Sequence, residues 1–122
     1  MAKKMIASMQ EVMTQYPTTF SQWLIAADIA IGPTSEIAIL GSLDDLQTES
    51  LLAVLWETYL PRTIIAISEY PPTDGSPKLL EDRLLRNGQP TAYVCHDFAC
   101  LKPVNSAADF REQLNNSLQK DN

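Results

Sequence analysis

The sequence predicts an α/β fold: two leading helices, then a small three-stranded parallel sheet of βαβαβα order. Three observations carry that expectation. Short apolar runs at 36–41, 63–68 and 91–95 have the length and composition of buried strands. Segments with apolar residues at helical spacing alternate with them. Strands and amphipathic helices in alternation bury best as a parallel sheet covered on both faces through right-handed crossovers. The chain has 122 residues, 45% hydrophobic and 20% charged, which suits one domain with a helical extension. At this size folding buries roughly two-thirds of the surface exposed by the unfolded chain, so a core forms without staples.

Taken in order, residues 2–16 place Met5, Ile6, Met9, Val12, Met13 and Tyr16 on one helical stripe. Pro17 ends it, because the residue before a proline avoids helix. Thr18 or Thr19 then offers a cap for a second helix over 20–31. That helix is apolar on most sides: Phe20, Trp23, Leu24, Ala27 and Ile31 form one face, Ile25 and Ile29 another. Such a helix needs neighbours on most sides, and few elements of a short chain are available to supply them. Phe20, Trp23, Ile25 and Ile29 are therefore the candidate packing surface for a partner.

"GPTS" separates these helices from the rest, dividing the chain into 1–33 and 34–122. "EIAILG" reads as the first strand, and "SLDDLQTES" leads into a helix with apolar positions at Leu51, Leu52, Val54, Leu55, Trp56 and Tyr59. "TIIAIS" reads as a second buried strand, and "EYPPTDGSP" as a loop. Residues 78–86, with Leu79, Leu80, Leu84 and Leu85, read as a short helix. "NGQP" turns the chain into the third strand. "SAAD" is a capping box with Asp in place of Glu, opening a last helix with Phe110, Leu114 and Leu118 at steps of four.

The chemistry concentrates in "TAYVCHDFACLKPV", which holds both cysteines and the sole histidine. Cys95 and Cys100 have four residues between them, not the two of a thioredoxin-type pair at a helix N-terminus. Structural zinc wants four ligands, and this stretch offers at most three. The plainest reading is two partly buried thiols, Cys95 packing inward and Cys100 anchoring the elbow after the strand. A regulatory disulfide and a metal or redox site are the alternatives, so Cys95 and Cys100 stand as a candidate thiol pair. His96 follows Cys95 in a strand and so faces the other way, an exposed histidine beside Asp97 rather than a partner base.

Elsewhere no catalytic constellation emerges. "ILGSLDDLQTES" has one glycine, not a dinucleotide fingerprint, and Asp44 and Asp45 would oppose a phosphate. A small-ligand module at this turn, 41–45, is the least favoured of the readings; Gly41 for a tight turn and aspartates before a helix N-terminus suffice. The carboxylates are dispersed, with no glycosidase couple, and no serine sits in a nucleophile elbow. No catalytic, cofactor-binding or metal residue is therefore assigned, and no cofactor is expected. The net charge of −6 and pI near 4.6 lack the cationic footprint that nucleic acid requires. No apolar stretch reaches membrane-spanning length. With no export pattern evident, two cysteines suggest reduced thiols and a cytoplasmic location.

Three stretches carry a resemblance that covers nearly the whole chain. They are "YPTTFSQWLIAADIAIGPTSEIAILG", "LLAVLWETYLPRTIIAIS" and "NGQPTAYVCHDFACLKPVNSAADF". The chain resembles the C-terminal region of the YyaL-type thioredoxin domain-containing proteins, a family that includes a spermatogenesis-associated animal member. The family combines a thioredoxin-like domain, a six-hairpin (α/α)6 barrel and a small α/β tail. The resemblance implies that residues 1–33 are the last barrel helices and 34–122 the tail, with the thioredoxin-like domain and most of the barrel absent. It also implies a non-catalytic structural role, with the barrel portion or a second copy as protein partner. The parent's activity is uncharacterised, and its carbohydrate link rests on fold analogy. The alternative is a small thiol-redox or metal-binding protein using Cys95 and Cys100.

Overall fold

The computed structural model describes residues 1–96 and 99–120, the last three of these by backbone alone. It divides into two compact units, Met1–Thr34 and Ser35–Asn122. Among the described residues, no helix is long and apolar enough to cross a membrane.

The first unit holds α1 (Ala2–Ser8), α2 (Gln10–Gln15) and α3 (Ser21–Ile31). The single helix expected over 2–16 is broken at Met9. The Ser8 hydroxyl bonds the Met5 carbonyl at 2.7 Å, and Met9 N–H tightens to the Ile6 carbonyl at 3.1 Å. Such side-chain bonds compete with the helical ladder. Neither Thr18 nor Thr19 caps α3; Phe20 occupies the cap position with no side-chain bond. Both α1 and α2 lie against α3, yet Met13 is the only core hydrophobic of this unit.

The second unit is built on β1 (Ser35–Leu40), α4 (Leu46–Glu57), β2 (Thr63–Ser68), β3 (Thr91–His96), β4 (Ala99–Cys100) and α5 (Ala107–Lys120). The sheet has four strands in the order β2-β1-β3-β4. Only β1 and β2 are parallel; β3 runs antiparallel to β1, and β4 folds back antiparallel on β3. The three-stranded parallel sheet expected from the sequence is thus corrected to a four-stranded mixed one.

The reason lies in residues 69–90. A parallel third strand needs a crossover that returns the chain to the opposite end of the sheet. The helix expected over 78–86 is only one 3-10 turn, Lys78–Leu80, and Asp82 then takes a left-handed conformation at φ 57°. The Tyr93 hydroxyl donates to the Leu84 carbonyl at 2.6 Å and accepts from the Leu84 N–H at 3.2 Å, taking the place of helical bonds there. The segment therefore stays over one face and enters β3 where β2 ended, since Ser68 and Thr91 both pair with Leu40.

Strand alternation sorts the core into two layers. Ile37, Ile39, Ala92 and Val94 pack with Leu51, Val54 and Leu55 of α4 and Phe110 and Leu114 of α5. Ala38, Leu40, Tyr93 and Cys95 face the other way, against Leu80, Leu79 and Leu85. β1 is buried on both faces, but β2 is an edge strand with Ile64 and Ile65 exposed, not the buried strand expected. Trp56 and Tyr59, read from spacing as part of the apolar face of α4, are 70% and 84% exposed. The Asp45 carboxylate caps α4, accepting from Gln47 N–H at 2.8 Å. Ser106 caps α5, its hydroxyl accepting from Asp109 N–H at 3.1 Å. The side chain of Leu118 lies outside the described residues.

Among the described residues, two buried side-chain oxygens have no hydrogen-bond partner, Thr48 Oγ1 and Gln113 Oε1. Thr48 is fully buried, and its Oγ1 makes no hydrogen bond. An unmet buried hydroxyl costs about 1–3 kcal/mol, and valine has nearly the same shape. Thr48→Val is therefore expected to stabilise the unit by about 1 kcal/mol. The measurement is the urea midpoint, which should rise at unchanged slope; a fall would mean that the hydroxyl is needed.

Candidate functional site

The sulfurs of Cys95 and Cys100 are bonded, and the described residues hold no free cysteine. The reading of two separate thiols is corrected: β4 returns antiparallel along β3 and sets Cys100 directly opposite Cys95. Their Cα atoms lie 3.9 Å apart. The intervening Asp97 and Phe98 lie outside the described residues. The bond spans a sequence separation of only five, so in the chain-entropy account it is worth about 2 kcal/mol.

The two sulfurs differ in their surroundings. Cys95 is fully buried within the layer formed by Tyr93, Leu40 and Leu80. Cys100 is exposed on the two-residue β4. Arg83 points a guanidinium Nη2 at the Cys95 sulfur, 3.5 Å away. That arginine is held from two sides: its Nε donates to the Leu79 carbonyl at 3.4 Å, and its guanidinium carbon sits 5.0 Å from the Tyr93 ring centroid. The Tyr93 hydroxyl fixes the backbone of Leu84 beside it. The fixed cation is placed to offset negative charge on this sulfur when the bond opens, against the cost of burying that charge among apolar side chains. Sequence reasoning missed Arg83. In a sequence it is one charged residue among leucines, and only the fold of residues 69–90 brings it to the strand.

His96 takes no part in this site. Its side chain leaves β3 on the opposite face, with Nε2 3.0 Å from Ser117 Oγ and Nδ1 3.1 Å from Ser35 Oγ. It is half-buried and engaged at both nitrogens, not the exposed residue expected. It ties α5 to the start of β1.

The turn after β1 also proves structural. Gly41 N–H donates to Ser68 O at 3.1 Å, and a Cβ at this position would lie 2.5 Å from Thr48 Oγ1 and 2.8 Å from Pro90 Cβ. Close approach, more than turn geometry, calls for glycine there. The adjacent cleft is lined by Ser42, Asp45, Glu69 and Tyr70 among others, so carboxylates face it and an anion is disfavoured. Among the described residues, no group of three or more His, Cys, Asp and Glu side chains could hold a metal ion.

In the helical unit, Phe20 and Trp23 are half-buried, while Ile25 and Ile29 are exposed at 54% and 42%. Comparison with protein-family models, with curated proteins and with solved structures finds no match to this chain.

Proposed function

We propose that this chain is a non-catalytic structural and interaction module, of the kind that closes a thioredoxin-domain and six-hairpin-barrel protein. The observation that carries the reading is α3. Its eleven residues, SQWLIAADIAI, include none that is buried, and Leu24, Ile25, Ile29 and Ile31 are all exposed. Covering apolar surface contributes about 25 cal/mol per Å², so such a helix gains from a second body. The three stretches that resemble the barrel-and-tail family support the same reading. The partner is the barrel portion of such a protein, or a second copy where no barrel is at hand. The test is sedimentation of the chain alone and mixed with a barrel portion. Association is expected, and Ile25→Asp/Ile29→Asp is expected to weaken it at least tenfold, since a charge set against an apolar interface goes unpaired.

A second reading is thiol–disulfide exchange, favoured by one observation: the Cys95–Cys100 bond with Arg83 against one sulfur. A cytoplasmic location goes with either reading, and there a reducing thiol pool would act on the pair. Thiol titration with and without reductant, together with metal analysis, separates reversible exchange from an inert staple and from metal binding.

A further inference from the structure

We infer that the Cys95–Cys100 pair is a directional exchange site for small thiols, with Cys100 the sulfur attacked and Cys95 the leaving group held against Arg83. The inference rests on the second reading above and assigns its chemistry. Direction follows from burial. Cys95 is fully buried and its sulfur has Arg83 Nη2 at 3.5 Å; Cys100 is exposed. An incoming thiolate approaches from the exposed residue, Cys100, and the rate rises with the stability of the thiolate expelled. The guanidinium is already in place where that negative charge forms.

A thiolate RS⁻ attacks Cys100 Sγ, the S–S bond breaks, and its electron pair goes to Cys95 Sγ facing Arg83. A second thiolate attacks the R-bearing sulfur, Cys100 leaves as thiolate, and RSSR departs. Two small thiols are oxidised by two electrons, and their protons end on the two cysteines. The substrate class is a small thiol because β4 offers only two residues of strand, too little ladder to hold an extended peptide. His96 is excluded as proton carrier, since it lies on the other face against Ser35 and Ser117.

The experiment treats the whole chain with limiting glutathione, quenches with acid and maps the mixed disulfide by peptide mass. The adduct is expected on Cys100. An adduct on Cys95 overturns the assigned direction while leaving thiol exchange standing. No adduct and no loss of the disulfide would overturn both. In parallel, Arg83→Met is expected to slow reduction by dithiothreitol about fivefold, with Arg83→Lys intermediate. In a Cys100→Ser background, Arg83→Met should move the Cys95 thiolate absorbance transition to higher pH. Equal rates and an unmoved transition would remove Arg83 from the site. Should Arg83→Met not fold, the adduct position and the Arg83→Lys rate decide the matter.

Discussion

Phe110→Ala is expected to lower the stability of the Ser35–Asn122 unit by about 3–5 kcal/mol. Among the described residues, Phe110 heads the fully buried side chains by volume and is the sole aromatic in a cluster that joins Ile37, Ile39, Ala92 and Val94 of the sheet to α4 and α5. α5 touches β3 and α4 through this layer; the Arg111–Glu57 ion pair that also links the helices is exposed on both sides and is worth under about 1 kcal/mol. Removing the ring takes away the transfer energy of the whole side chain. It also leaves a cavity between a sheet and two helices, which cannot collapse together. A domain of ordinary stability has about 5–15 kcal/mol in hand, so the loss is a large fraction of the total. Urea unfolding followed by circular dichroism measures it. A change below about 1 kcal/mol would mean that α5 is not part of the cooperative core.

The second large effect is expected at Gly41. Gly41→Ala places a methyl 2.5 Å from Thr48 Oγ1 and 2.8 Å from Pro90 Cβ. Thr48 is β-branched and sits in the first turn of α4, with few rotamers open to it, and proline cannot bend away. Overpacking of this kind costs about 1–3 kcal/mol and on occasion more. The double substitution with Thr48→Ala removes one of the two clashing atoms, so it should recover part of the loss. If the single substitution is neutral, β1, α4 and Pro90 are not held as closely as described.

What the sequence could and could not convey follows from the range of each interaction. β1, β2 and β3 are short apolar runs bounded by turn residues, and local pattern suffices to find them. Asp45 and Ser106 work as caps because capping is decided within four residues. Strand direction is a different matter. It depended on whether residues 78–86 formed a helix, and Leu79, Leu80, Leu84 and Leu85 fit a helix and a folded loop equally well. The Tyr93 hydroxyl, nine residues away from Leu84, decided between them, and no local pattern announces that bond. Arg83 beside Cys95 is legible only after that loop is folded. The pairing of Cys95 with Cys100 needed β4, a strand of two residues that carries no periodic signal. Trp56 misled because a helix position at apolar spacing does not have to face the core. The exposed isoleucines of α3, by contrast, were visible in the sequence as an excess of apolar residues over the neighbours available to cover them.

The measurement that bears most directly on the proposed role is sedimentation velocity of the chain, alone over a wide concentration range and mixed with a barrel portion. The chain is expected in a species heavier than the 13.6 kDa monomer, by self-association or by complex formation, that Ile25→Asp/Ile29→Asp returns to monomer. The chain sedimenting at 13.6 kDa alone and in every mixture, unchanged by those substitutions, would contradict it.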